Sequence, residues 1–181
     1  MCDHIFLIGF MGTGKTTAGS KAARLAGCFW CDLDDLIVRR IGMSIADYME
    51  RYGEEAFRDA ESDTLAGFIE SGKDTDGMRI LSCGGGVILR SENRALLREN
   101  GTVIRLTSDP DTICARVLAD EPVRPLLSAE GSEGEKALRE RIDALISERE
   151  ELYRRTAHHE IDTDQMSADE VARRILDLAG V

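Results

Sequence analysis

Residues 9–16 read Gly9-Phe10-Met11-Gly12-Thr13-Gly14-Lys15-Thr16, a fit to the pattern G-x-x-x-x-G-K-[ST]. This loop constrains the chain more than any other segment, because it works only between a strand and a helix. Both neighbours are present. His4-Ile5-Phe6-Leu7-Ile8 is a short apolar run that reads as a buried strand. Residues 17–25, rich in Ala, Lys and Arg, read as a helix. A glycine loop in that setting curls around an anion with its N–H groups pointing inward, and the helix start adds its positive dipole end. Lys15 supplies a mobile charge for β- and γ-phosphates, and the Thr16 hydroxyl is a ligand suited to Mg²⁺. An ordinary glycine-rich turn is the competing reading, and the flanking strand and helix argue against it.

The remaining elements extend one architecture. After the loop helix, 28–33 reads as a second strand, and 35–41, 45–51 and 54–69 as helices. The stretch 72–77 is a polar turn, 79–82 a third strand running into Gly84-Gly85-Gly86, and 92–98 a helix. A fourth strand (102–106), a helix at 111–118 with Pro110 near its first turn, a long charged helix (135–155), a fifth strand (160–162) and a closing helix (168–178) follow. Such alternation predicts an α/β fold: a P-loop NTPase core with a five-stranded parallel sheet and helices on both faces. Ligands of that sheet belong at the carboxyl ends of its strands. The 181 residues predict a single domain, 1–181. The one long irregular stretch, 119–134, holds two of the three prolines and two glycines, the composition of a moving lid.

Composition excludes several function classes. A net charge of −11 argues against nucleic acid as a partner, because phosphate backbones need a basic face. No run of about 18 apolar residues exists, so no membrane span is expected. The first residues lack the charged start, apolar run and cleavage site of a secretory signal, which points to a cytoplasmic protein. Five cysteines, an odd number, do not make a disulfide framework there. Cys28-Phe29-Trp30-Cys31 has C-x-x-C spacing but runs into a strand without a second pair, so two buried core thiols are the expectation.

Three further motifs fall at strand ends. Asp32-Leu33-Asp34 closes the second strand, and alternation along an extended chain puts both carboxylates on one side. One could serve a metal and the other a nucleophile; a solvated strand end with a helix cap is the alternative. No acidic residue lies at the end of the third strand, so Asp32 is the candidate for the metal role. Gly84-Gly85-Gly86 removes every side chain from one spot, which suits either a backbone wall for a ligand or a flexible turn. Glu54, Arg58 and Glu61 share one helix at i, i+4 and i+3 spacing. That makes either a surface ion-pair ladder or an arginine oriented by flanking carboxylates.

Taken in order, the loop at 9–16, Asp32-Leu33-Asp34, Gly53-Glu54-Glu55-Ala56-Phe57-Arg58, Gly84-Gly85-Gly86 and Arg124-Pro125-Leu126-Leu127 resemble shikimate kinase. The likeness extends to Ser44-Ile45, to Glu92-Asn93-Arg94 and to Arg149 ahead of Leu152-Tyr153, and covers nearly the whole chain. The resemblance implies a nucleoside-monophosphate-kinase-like fold, with a substrate-binding helical insert at about 34–62 and a lid at about 119–134. It implies ATP-dependent phosphorylation of the shikimate 3-hydroxyl, with Mg²⁺, by a monomer that acts on small molecules. Carried over residue by residue, Gly12, Thr13, Gly14, Lys15, Thr16 and Thr17 hold ATP phosphates. Thr16 and Asp32 hold Mg²⁺, with Ser82 in the same water shell. Asp34 bonds the shikimate hydroxyls and acts as, or positions for, the base. Arg58 and Arg149 clamp the carboxylate, and Gly84, Gly85 and Gly86 form the wall of the ring. Arg124 is the lid arginine over the transferring phosphate, and Arg116 lies on the adenine. The sequence departs from the family's pattern at Glu151, where a proline is usual, and in the spacing from Arg116 to Arg124, one residue longer. It also departs at Thr163-Asp164-Gln165-Met166, in place of a segment that is often basic. Two other readings fit the loop: another small-molecule kinase of the gluconate-kinase type, or a nucleotide-binding regulator without catalysis.

Overall fold

The computed structural model describes residues 4–73, 77–119 and 132–181, with side chains of the last segment from 136 onward. Its sheet has five parallel strands in the order β2-β3-β1-β4-β5. They are β1 (His4–Ile8), β2 (Phe29–Asp32), β3 (Arg79–Ser82), β4 (Gly101–Thr107) and β5 (His159–Asp162). β1 lies centrally between β3 and β4, and all five of its residues are buried. An unbroken apolar strand is what burial on both faces demands.

Seven helices cover the sheet among the described residues: α1 (Lys15–Ala26), α2 (Leu33–Ile41), α3 (Ile45–Gly72), α4 (Ser91–Glu99), α5 (Pro110–Ala119), α6 (Ser132–Thr156) and α7 (Ala168–Ala179). One core joins Phe6, Leu33, Phe57, Leu65, Leu97 and Tyr153, on the face covered by α2, α3, α4 and α6. The other joins Ile5, Leu7, Ala18, Ile104, Val171 and Ile175, under α1 and α7. Small residues Ala18, Gly19, Ala22 and Ala23 let α1 lie close to the sheet. α7 starts on a capping box, Ser167 with Glu170, and its Asp169 takes an ion pair from Lys21 of α1 at 2.6 Å.

Two expected boundaries change. Leu33 is not the last strand residue but the first of α2, because the Asp32 side chain accepts the Asp34 N–H and starts the helix one residue after itself. The helices expected at 45–51 and 54–69 form one element with a kink at Gly53 (φ 86°, ψ 166°), a backbone state open to glycine but strained for other residues. Register then sets the site: Leu7 pairs with Ser82, and Ser82 with Asp32. The segments that follow these residues therefore emerge together at one edge.

Candidate active site

A cavity of about 480 Å³ opens at that edge. The 9–16 loop forms its floor, with Gly12, Thr13, Gly14, Lys15, Thr16 and Thr17 in its lining. Lys15 Nζ bends back over the loop and donates to the carbonyls of Gly9 at 2.9 Å and Phe10 at 2.8 Å. This crook leaves the ammonium beside the curl of backbone N–H groups. Arg116 lies against the same loop, where its Nη1 donates to Gly12 O at 2.9 Å. Thr163, Ala168 and Val171 continue the wall there.

The two aspartates meet in this cavity, though not by strand alternation. Asp32 ends β2 and Asp34 sits in the first turn of α2. Asp32 Oδ1 accepts the Asp34 N–H at 3.0 Å, and its Oδ2 accepts the Thr16 hydroxyl at 2.8 Å. One carboxylate thus ties the phosphate loop to the helix that presents the other. A hydroxyl and a carboxylate side by side are hard oxygen donors, the kind Mg²⁺ takes. No group of three or more His, Cys, Asp or Glu suited to hold a metal occurs among the described residues. A metal here would need phosphate oxygens to complete its shell.

Ser82 does not face that shell. It is fully buried, donates to Lys15 O at 3.1 Å and accepts from Trp30 Nε1 at 3.0 Å. Its hydroxyl fastens the start of α1 to β3.

The glycine triplet faces Asp34 and Arg58. A Cβ on residue 84 would stand 2.7 Å from Asp34 Oδ1, and one on residue 86 would stand 2.7 Å from Arg58 Cζ. Only glycine permits both side chains to approach so closely. Arg58 is no surface ladder. Its side chain is 14% exposed and that of Glu61 only 2%, with Nη1 donating to Glu61 Oε2 at 2.8 Å and Nη2 to Glu54 Oε1 at 3.3 Å. Burial pushes the Glu61 carboxyl above its usual range, against the pull of Arg58. Glu61 therefore orients Arg58 from inside, a role that helical spacing alone left open.

Arg149 reaches the triplet from α6. It hydrogen-bonds the hydroxyl of Tyr153, which donates to Gly85 O at 2.6 Å. Burial pushes the Tyr153 hydroxyl up to about 12, with Arg149 and Arg105 opposing. Both Arg58 and Arg149 keep a buried Nε–H without an acceptor among the described residues. Asp34, Gly84 and Gly85 line the cavity, whereas Arg58, Gly86 and Arg149 are not in its lining. Arg124 and the expected lid lie outside the described residues, apart from Ala119 and the start of α6.

Three cysteines differ in setting. Cys83 is fully buried beside the triplet, and burial holds its thiol far above the usual range, so it is a poor nucleophile. Cys28 and Cys31 are half-buried thiols, not a disulfide and not fully in the core as their spacing led us to expect. The turn before β2 and the edge position of that strand leave them partly open.

Comparison with known proteins extends this picture. A shikimate kinase of Geobacter sulfurreducens is 40% identical over 172 residues, which span 95% of this chain and 88% of the relative. The solved structure of shikimate kinase from Acinetobacter baumannii in complex with shikimate superposes with a TM-score of 0.83 at 35% identity, covering 98% of this chain and 93% of that one. A gluconokinase from Sinorhizobium meliloti shares the fold alone, at 15% identity and a TM-score of 0.56 over 98% of this chain and 91% of that one. The family model for shikimate kinase matches residues 11–179, from the phosphate loop to the end of α7, and the chain belongs to the shikimate kinase family.

Proposed function

We propose that the chain transfers the γ-phosphoryl group of ATP to the 3-hydroxyl of shikimate, giving ADP and shikimate 3-phosphate. The observation that carries this reading is the meeting of Asp34 with the phosphate loop on one side and with the glycine triplet on the other. The family assignment gives ATP as the phosphoryl donor. The phosphate loop, with Arg116, Thr163, Ala168 and Val171 in the same cavity, is its nucleotide site.

Phosphoryl transfer needs alignment and charge neutralisation more than covalent help. Lys15 swings from the Gly9 and Phe10 carbonyls to the β- and γ-phosphates, while the loop N–H groups hold the α- and β-phosphates. Thr16 and Asp32 would hold Mg²⁺, which when bound supplies positive charge between the phosphates. Asp34 bonds the shikimate hydroxyls and accepts, or orients, the proton of the attacking 3-oxygen. Arg58 and Arg149 take the carboxylate in paired N–H donors, a geometry guanidinium suits and ammonium does not. Gly84, Gly85 and Gly86 let the ring lie against bare backbone. Arg124, on a lid at about 119–134, closes over the transferring group and excludes water, so that ATP is not simply hydrolysed. Residues 34–62 form the insert that presents Asp34 and Arg58. Arg116 stacks on the adenine. A monomer acting on small molecules, with neither nucleic acid nor membrane as partner, completes the reading. No helix among the described residues is long and apolar enough to cross a membrane.

A substrate panel with coupled ADP detection tests the reading. Shikimate should drive ADP release and gluconate should not. Release driven by gluconate, or by no acceptor, would overturn it.

A further inference from the structure

Arg105 is an odd residue for its place. It lies in β4 among buried Val103, Ile104 and Leu106, and is itself 6% exposed. Its guanidinium meets Glu150 of α6 fork to fork, Nη1 to Oε1 at 2.8 Å and Nη2 to Oε2 at 2.6 Å. Nη1 also donates to Glu160 Oε2 of β5 at 3.0 Å. Its Cζ lies 5.2 Å from the centroid of the Tyr153 ring. The Arg105 hydrogen bond holds the Glu150 carboxyl below its usual range, against partial burial.

Such an arrangement is poor value for stability alone. The guanidinium is buried while Glu150 and Glu160 stay about half exposed, so water weakens the attraction, and Arg105 Nε remains buried without an acceptor among the described residues. What the pair does fix is the helix. Glu150 and Tyr153 are one turn apart on α6 and grip the same guanidinium. Advancing α6 by one residue would rotate its side chains by roughly 100° and shift them by about 1.5 Å. Glu150 would then leave the fork and Tyr153 the face of the cation. Arg149 adjoins Glu150 in sequence and bonds the Tyr153 hydroxyl, which in turn holds Gly85 O.

We propose that Arg105 is a positioning residue for the carboxylate end of the site: it locks α6 so that Arg149 and Tyr153 stand against the glycine triplet. The inference rests on the reading of Arg149 as a ligand of the shikimate carboxylate. Arg105 touches neither substrate; it acts through Glu150 and Tyr153.

The test is a double-mutant cycle in the full chain, read as KM for shikimate and for ATP well below the melting temperature. Arg105→Lys keeps the charge and loses the fork. It should raise the shikimate KM by about five-fold or more, within the coupling expected of directly connected residues, and leave the ATP KM within about two-fold. Arg149→Lys should raise the shikimate KM by itself, and adding Arg105→Lys should then change it by less than about two-fold. Independent, multiplicative effects of the two changes would overturn the positioning role, as would a lowered melting temperature with both KM values intact. An unchanged shikimate KM in Arg149→Lys would instead overturn the reading on which the inference rests. If Arg105→Lys does not fold, Glu150→Gln, which keeps the size and one acceptor, carries the same comparison with the same outcomes.

Discussion

Gly84→Ala offers a perturbation whose effect follows from distance alone. The added Cβ would stand 2.7 Å from Asp34 Oδ1 and 3.5 Å from Glu61 Oε1, where ordinary contact begins at 3.4 Å. The backbone of residue 84 does not have a positive φ, so alanine suits it. The clash falls on the end of a side chain, and the unfolded chain loses freedom, worth about 0.4–1 kcal/mol in favour of the variant. Stability should therefore hold. The Asp34 carboxylate must retreat by about 0.7 Å, and a displacement on the order of 1 Å at a reacting group costs about 10²-fold. We expect kcat to fall by about 10- to 100-fold, or ~1.4–2.7 kcal/mol of barrier. The ATP KM should stay within about two-fold, since the phosphate loop is untouched. A coupled ADP assay across both substrates, with a melting curve, measures all three quantities. A folded Gly84→Ala protein with wild-type kcat would refute the placement of Asp34 at the reacting centre.

Other substitutions separate the remaining roles. Lys15→Ala should nearly abolish turnover with the fold intact, checked by initial rates and circular dichroism; near-normal kcat would sink the phosphate-loop assignment. Asp34→Asn should cut kcat by about 10²-fold or more with little change in ATP affinity, whereas Asp32→Asn should shift the Mg²⁺ dependence of the rate. The reverse pattern would exchange the two aspartates. His158 gives a pH signature. Its ring is held below the ordinary 6.5, first by burial and then by Arg98 and His159, and its Nδ1 accepts the Val103 N–H at 3.0 Å. Because the unfolded chain takes up that proton first, stability from this group is present above about 6.5 and is lost as pH falls toward the lower folded value. His158→Asn, which keeps an acceptor, should flatten the melting temperature against pH between about 7 and 5; an unaltered slope would refute the assignment.

The phosphate loop and the alternation of strands and helices were legible because each depends on local pattern: an apolar run, a glycine loop, a helix start. The site was legible in its members more than in its geometry. Asp32 and Asp34 do share one cavity, but a cap joins them, since the Asp32 side chain ends the strand before alternation can act. Glu61 looked like a rung of a surface ladder, because helical spacing does not say which face another element covers. Ser82 was assigned to the metal's water shell by the resemblance, yet its hydroxyl accepts from Trp30, 52 residues away, and donates to Lys15 O. Tyr153 and Arg105 were given no role by the sequence. Tyr153 carried one signal, its i, i+4 spacing from Arg149. Arg105 carried another, a lone cation inside an apolar strand, but its partners Glu150 and Glu160 come from elements distant in sequence.

The central claim is that this constellation delivers a phosphoryl group to one oxygen of shikimate. The most direct measurement is the identity of the product. Purified protein incubated with ATP, Mg²⁺ and shikimate should yield one phosphorylated product, with phosphorus–proton correlation in its nuclear magnetic resonance spectrum placing the group on the 3-oxygen and one ADP formed per product. ADP formed without a phosphorylated acceptor, or a phosphoryl group on another oxygen, would contradict the account.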